Sequence, residues 1–361
     1  MNGDPGSGRS TLVVVDDPRT ELHDPRHEVW VGTVTPASEV AERVQVIRAQ
    51  LVASGARPVP GAGHSDDVLS AVHDVRLLDF LRTAAERWAQ GDYDELVGQQ
   101  RVVPYVFPTA ELLGGLPLRE PVATHALTGV HCYDTMTLVG PGTWQAARTA
   151  ADLAQTAAEI ALAGHPAYAL CRPPGHHATR GGYGGSCYLN NAAVAAQTMR
   201  DGGLDRVAVI DIDAHHGNGT QSIFYARDDV WYGSVHVDPG AGWFPHFLGF
   251  ADETGSGAGE GFTCNQPLAP GTGDEAWLLA VRRLADSAHA AGCQALVVSL
   301  GVDAAVDDPE SPLQVGREGF AAAGRVLADL GVPTALVQEG GYHLPTLGPL
   351  VAEVLSAFAG V

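Results

Sequence analysis

The stretch Val209-Ile-Asp-Ile-Asp-Ala-His-His-Gly-Asn218 decides the fold. It begins with apolar and β-branched residues, the composition of a buried strand, and then sets Asp211, Asp213 and His215 two residues apart. Alternate side chains of an extended segment share a face, so the two carboxylates and the imidazole converge at the strand's end. His216 is out of phase with them, points away and reads as structural. Two further polar clusters interrupt apolar runs: Arg172-Pro-Pro-Gly-His-His177 follows Ala167-Tyr-Ala-Leu170, and Asp303 follows Ala295-Leu-Val-Val-Ser-Leu300.

Working outward, short apolar runs recur at residues 12–15, 168–170, 207–212, 230–235, 295–300 and 334–337. Between them lie amphipathic or alanine-rich stretches with helical period at 38–53, 78–89, 143–162, 192–200, 275–291, 320–330 and 347–358. Strands alternating with helices require crossovers, which predicts an α/β fold: a three-layer α/β/α arrangement around a central, mostly parallel sheet. Such sheets bind ligands beyond the carboxyl ends of their strands. The polar clusters, together with Ser234 to His236 and Glu339-Gly-Gly-Tyr342, all fall there. No linker divides the chain, so residues 11–361 read as one domain, after a glycine-rich, disordered 1–10. Residues 91–128, rich in Pro and Gly, read as an irregular surface insertion.

Composition removes whole function classes. The 361 residues hold 42 Asp and Glu against 21 basic residues, every one of them arginine, for a net charge of −21. That field repels phosphate backbones and anionic bilayers, so neither nucleic acid nor membrane is an expected partner. The five cysteines are scattered without paired ligand spacing and read as thiols in a reducing compartment. With no apolar signal core near Met1 and no membrane-length apolar run, the expected location is cytoplasmic.

The clustered residues carry a definite chemistry. Asp213, His215 and Asp303 supply one nitrogen and two carboxylates, a ligand set for a catalytic Zn2+, or Fe2+, with positions left open for water and a carbonyl oxygen. His176 and His177 follow a stiff Pro-Pro-Gly turn and suit proton transfer. Asp211 and Asn218 are their candidate orienting partners; a carboxylate on one ring and an amide on the other should give the two histidines different pKa values. Tyr342, after Gly340-Gly341, can reach a developing oxyanion.

With these residues in view the chain resembles the arginase/deacetylase superfamily, and within it the histone deacetylase and acetylpolyamine amidohydrolase family, closest to the acetylpolyamine branch. The resemblance runs from about Ala71-Val-His73 to the C-terminus. It rests on Arg172-Pro-Pro-Gly-His-His177, Gly185-Ser-Cys-Tyr-Leu-Asn-Asn191, Asp211-Ile-Asp-Ala-His-His-Gly-Asn-Gly-Thr220 and Glu339-Gly-Gly-Tyr342, with Phe244-Pro-His-Phe-Leu-Gly249 pointing to the branch. It implies the arginase/deacetylase fold, Zn2+ on Asp213, His215 and Asp303, an acid/base pair in His176 and His177, and Tyr342 as oxyanion donor. It also implies two structural K+ sites: an inner one at Asp211, Asp213, His215, Ser234 and Val235, and an outer one at the carbonyls near Phe224, Arg227 and Val230. The superfamily's dimanganese branch needs two more aspartates, where this chain has Gly217 and Gly301, so one metal is expected.

Substrate features are mixed. The family lines its acyl tunnel with two facing aromatics; Phe244 matches one, but Ser186, beside Gly185, replaces the other. His125 and Met136 stand where acetylpolyamine enzymes carry acidic rim residues. Glu310, by contrast, matches a gatekeeper glutamate that attracts a substrate ammonium, and Asp134 resembles a rim aspartate that grips a substrate backbone. The expected activity is zinc-dependent hydrolysis of an N-acetyl amine, an acetylpolyamine or similar small cation, releasing acetate. The alternatives are an acyl-lysine protein deacetylase, a deacetylase of an acetylated secondary metabolite, or a non-catalytic protein that binds acetylated amines. The resemblance also implies a homodimer built through the 91–128 insertion.

Overall fold

The computed structural model describes residues 12–91 and 101–360; the expected disorder of residues 1–10 and the 92–100 part of the insertion lie outside them. The strands are β1 (Val13–Val15), β2 (His27–Trp30), β3 (Thr33–Pro36), β4 (Ala167–Ala169), β5 (Val207–Asp211), β6 (Val230–Val237), β7 (Thr263–Leu268), β8 (Ala295–Leu300) and β9 (Thr334–Gln338). The helices are α1 (Glu42–Ala53), α2 (Asp67–Val72), α3 (Val75–Ala89), α4 (Ala110–Leu113), α5 (Thr124–His131), α6 (Thr143–Leu162), α7 (Asn191–Asp201), α8 (Asn218–Phe224), α9 (Asp274–Ala290), α10 (Arg317–Ala328) and α11 (Leu344–Ala359).

Seven strands form one sheet in the order β1-β4-β9-β8-β5-β6-β7, and every neighbouring pair is parallel. Its strands are covered on both faces, and the period of two sorts their side chains. Val207 and Val209 of β5 and Val297 of β8 join the core beneath α6 and α7, whereas Ala208, Ile210 and Val298 join the core beneath α1, α9, α10 and α11. Because the strands run the same way, all their carboxyl ends open on one rim. Neighbours β4, β9, β8, β5 and β6 therefore deliver His176 and His177, the Glu339 loop, Asp303, Asp213 with His215, and Ser234 to adjacent points.

The sequence periodicity missed β7 and the antiparallel pair β2–β3, whose register sets Glu28 opposite Thr35 and Trp30 opposite Thr33. That ribbon is not packed into the main sheet, so its residues mix polar and apolar types without a buried face to impose alternation. The 91–128 stretch is only partly irregular: Val102 is buried and bridged to Val139, and α5 begins at Thr124 and buries Leu127 and Thr128. Among the described residues no helix is long and apolar enough to cross a membrane.

Helix α6 lies on the sheet through alanines, with Ala150, Ala154, Ala157, Ala158 and Ala161 fully buried. Small side chains let its backbone approach closely, and nothing there can yield to a larger group. Ala157→Leu is expected to lower stability by about 1–3 kcal/mol through overpacking, read as a fall in the urea midpoint at unchanged slope.

Candidate active site

Asp213, His215 and Asp303 meet at the centre of the rim, with one ligand atom from each lying within 4.8 Å of the others. Their positions are imposed by backbone donors. Ala214 N donates to Asp303 Oδ1 at 2.7 Å, and Gly340 N donates to Asp213 Oδ2 at 2.8 Å. His215 Nε2 donates to the carbonyl of Glu310 at 3.0 Å. A carbonyl only accepts, so Nε2 carries a proton and Nδ1 is the atom turned to the carboxylates, 3.0 Å from Asp303 Oδ2 and 3.3 Å from Asp213 Oδ1.

Three acceptors thus face one another, and a further proton, on the imidazole or on a carboxyl, or a metal ion is needed to bridge them. Burial, then the charge of Asp213, pushes Asp303 up to about 7, the mark of a site with more negative charge than its surroundings balance. The residues fit a metal: two oxygens, one nitrogen, and glycines where a side chain would intrude. A Cβ on Gly301 would lie 2.1 Å from Asp213 Oδ2, so the place of an added carboxylate ligand is sterically closed.

The paired histidines flank this triad with rings 3.9 Å apart. His176 Nδ1 donates to Asp211 Oδ2 at 2.9 Å, and His177 Nδ1 donates to Asn218 Oδ1 at 2.7 Å. The partners drive them apart. Burial opposes charge on both; at His176 the carboxylates of Asp213 and Asp211 outweigh it and raise the ring to about 10, whereas His177 has the His176 and His215 charges added to its burial and falls well below the usual range. His216 turns instead to Gln221 Oε1 at 3.0 Å.

Tyr342 is held from both sides of its loop. Asp308 Oδ2 accepts from its N–H at 2.7 Å, and the Arg43 guanidinium lies 4.6 Å from its ring centroid while donating to the carbonyls of Glu339 and Gly341. Burial keeps the phenol protonated; Arg43 works against that, Asp213 and Asp303 with it. Glu339 accepts from Gly175 N and His176 N, tying the two loops together. Arg43 and Asp308 carry no local signature: an arginine in an amphipathic helix or an acid in a loop shows its role only once distant segments meet.

At the mouth, Phe244 stands edge-on to His177 with centroids 4.8 Å apart. Opposite it runs the turn Gly184–Cys187, whose central residues Gly185 (φ 57°) and Ser186 (φ 61°) are both left-handed. A Cβ on Gly185 would fall 2.5 Å from His177 and 3.0 Å from Phe244, so glycine backbone forms the facing wall. Asp134, expected to grip substrate, already accepts from the N–H groups of Met136, Thr137 and Gly185 and from Thr137 Oγ1. Four donors saturate a carboxylate, and it clamps its own loop to the Gly185 turn. Glu310 Oε1 accepts from Ser38 Oγ at 2.5 Å. Nearby Glu28, absent from the sequence reading, is pushed up to about 7 by burial and then by the Glu310 charge.

Of the residues expected to hold potassium, Asp211 pairs in register with Ser234, and Val235 follows it. Phe224 ends α8, Val230 opens β6, and Arg227 N donates to the Phe224 carbonyl at 2.9 Å.

A parallel α/β sheet here carries an acid-imidazole triad and a histidine pair on its carboxyl rim, and the family to which the chain is matched makes it a deacetylase, a hydrolase of acetyl-amide bonds. The chain belongs to the histone deacetylase family: the histone deacetylase domain matches residues 37–358, beginning upstream of the His73 signature. It is 40% identical over 342 residues to the acetylpolyamine amidohydrolase of Mycoplana ramosa, covering 94% of this chain and 97% of that one. It is 39% identical over 351 residues to acetylpolyamine amidohydrolase 1 of Pseudomonas aeruginosa, covering 96% and 98%. The crystal structure of acetylpolyamine aminohydrolase from Burkholderia pseudomallei superimposes with a TM-score of 0.89 at 37% identity, covering 96% of this chain and 98% of that one. The fold is therefore the arginase/deacetylase fold.

A Cβ on Gly340 would sit 2.3 Å from Asp303 Oδ2 and 2.5 Å from Asp213 Oδ2. Gly340→Ala is expected to weaken divalent-ion affinity by roughly 10–100-fold by displacing both carboxylates, measured by competition against a chromogenic chelator. Unchanged affinity would place the ion elsewhere.

Proposed function

We propose that the protein is a zinc-dependent amidohydrolase that removes the acetyl group from a small N-acetylated amine bearing a second, cationic nitrogen, an acetylpolyamine or close analogue. The observation that carries the chemistry is the opposite electrostatic tuning of two adjacent histidines, their ring centroids 3.9 Å apart, beside a three-residue acid-imidazole site. Asp213, His215 and Asp303 hold the ion, zinc being the metal on which the histone deacetylase family generally depends. Bound there, it supplies Lewis acidity toward the amide carbonyl and makes water more acidic.

The rest is done by the chain's own groups. His177, neutral with a proton on Nδ1, presents Nε2 as the base that takes a proton from the attacking water. His176, held cationic by Asp211 and Asp213, is the donor poised to protonate the leaving amine. With a divalent ion held by Asp213, that carboxylate's pull on His176 would be partly offset, which would ease release of the His176 proton. Tyr342, protonated because it is buried, donates to the oxygen as it gains charge. Phe244 and the Gly185 backbone flank the acyl chain.

The acidic mouth supports the substrate class. Glu310 and Glu28 repel one another's charge, a repulsion that an ammonium relieves. Trp30 shares the Glu28 face of the β2–β3 ribbon, being two residues along the strand, and is half exposed, so its ring is open to a cation. K+ at the Asp211–Ser234 and Phe224–Val230 positions would stiffen the loops under the triad. The homodimer contact belongs on the 101–122 segment, where Tyr105, Leu112, Leu116 and Val122 expose apolar surface.

Three outcomes are expected. His177→Ala and Tyr342→Phe each lower kcat on an acetylpolyamine by about 10²-fold or more, and full activity in either would overturn the mechanism. Chelation abolishes turnover, and zinc added back restores it. Glu28 is a carboxyl whose folded pKa is raised, so from about 4.5 to about 7 the folded protein holds the extra proton and the charged form is available only above that window. A cationic substrate must expel that proton; its KM should therefore rise as pH falls below about 7, a dependence absent with a neutral acetyl amide and lost in Glu28→Gln.

A further inference from the structure

His176 and His177 do the same kind of work with different partners, and the difference raises a question of orientation. A carboxylate offers only lone pairs, so Asp211 dictates a proton on Nδ1 of His176 whichever oxygen it presents. An amide has a donor end and an acceptor end of almost the same shape. Asn218 could place either against His177, with opposite consequences. Its oxygen keeps the proton on Nδ1 and leaves Nε2 a lone pair; its NH2 group would demand the lone pair at Nδ1 and put the proton on Nε2, where no base can act.

We infer that Tyr133 is the positioning residue that decides this, by fixing which end of Asn218 faces His177. The Tyr133 hydroxyl lies 2.8 Å from the backbone carbonyl of His177. A carbonyl has no hydrogen to give, so the single phenolic proton is committed to it, and toward any other neighbour the Tyr133 oxygen can only accept. The other neighbour is Asn218 Nδ2, at 3.5 Å. That bond is long and weak, but its alternative is worse: a flipped amide would set Oδ1 against an oxygen that has already spent its proton. With Nδ2 turned to Tyr133, Oδ1 meets His177 Nδ1 at 2.7 Å. The His177 carbonyl, the Tyr133 hydroxyl, the Asn218 amide and the His177 ring thus form a closed loop of hydrogen bonds with one direction.

The phenol is held in place for this. A Cβ on Gly184 would lie 2.3 and 2.4 Å from two Tyr133 ring carbons, so the ring rests flat on the Gly184 backbone, which is itself locked to Cys187 by two hydrogen bonds. On the other side, the Tyr133 N–H donates to the Tyr183 carbonyl at 3.2 Å, and Asp134 clamps the following loop to Gly185. Burial and the adjacent Asp134 charge keep the hydroxyl protonated, as the loop requires. At the edge of the mouth the ring is partly exposed, but its hydroxyl points inward.

The inference rests on the reading of His177 as the base, and the tests separate the two. In the zinc-loaded protein, Tyr133→Phe removes the directing oxygen and, with it, the donor to the His177 carbonyl, a loss that is the same in the Asn218 and Asn218→Asp backgrounds. The expected result is a loss of about tenfold or more in kcat with KM for an acetylpolyamine and zinc content unchanged. In protein labelled with 15N-histidine, the His177 signals, identified by their absence from His177→Ala, should show Nε2 gaining proton character. Asn218→Asp provides the control, because a carboxylate needs no orienting: the Tyr133→Phe, Asn218→Asp double variant should be no slower than Asn218→Asp alone. A His177 spectrum unchanged by Tyr133→Phe would overturn the inference even if activity fell, as would an equal kcat loss in the Asn and Asp backgrounds. Full activity in His177→Ala would instead overturn the base assignment and leave the tautomer measurement standing.

Discussion

Everything at the rim follows from two buried carboxylates, Asp213 and Asp303, that share a space under 4.8 Å across with an imidazole nitrogen. In a low-dielectric interior like charges so close are unfavourable unless a cation joins them. The surrounding structure answers that imbalance piece by piece. Backbone N–H groups of Ala214 and Gly340 take up one oxygen of each carboxylate. His176 is drawn toward its cationic form, and the buried Arg43 crosses beneath the Glu339 loop to brace Tyr342. The remaining deficit of positive charge suits these three residues to a metal ion.

The same constraint explains why the two histidines are built differently. Were both paired with carboxylates, two more negative charges would crowd a site that already holds too many, and both rings would be pulled toward the charged form. The amide at Asn218 orients its ring without adding charge, so His177 stays neutral. An amide is ambiguous where a carboxylate is not, and the Tyr133 hydroxyl removes the ambiguity. Neutrality at the base is obtained at the cost of one more residue in the hydrogen-bond chain.

Much of this was legible in the chain. The cluster of Asp211, Asp213 and His215 was visible from its spacing, but β5 is extended only to Asp211; Asp213 to His215 lie in a bend beyond it, and Asp213 and His215 meet Asp303 through the Ala214 and Gly340 N–H bonds. The main helices and six of the seven sheet strands were read to within a few residues, since burial on both faces enforces a pattern strong enough to see. The ribbon β2–β3, with no buried face, left no such pattern, and Glu28 was invisible with it. Asp134, a charged residue at a family rim position that suggested substrate contact, draws its four donors from Thr137, Met136 and Gly185, partners that only the folded loops bring to it.

By itself the sequence determined the sheet class and the kinds of side chain gathered at the strand ends, because these depend on local period and on residue chemistry; the glycines at positions 217 and 301 carry the expectation of a single metal. Only the tertiary structure decided which groups answer one another: Arg43 with Tyr342, Asp308 with the Tyr342 N–H, Glu28 with Glu310, Tyr133 with Asn218. These pairs join segments far apart in the chain, with hydrogen bonds and Coulomb terms acting over a few ångströms of space, and no spacing along the sequence encodes that distance.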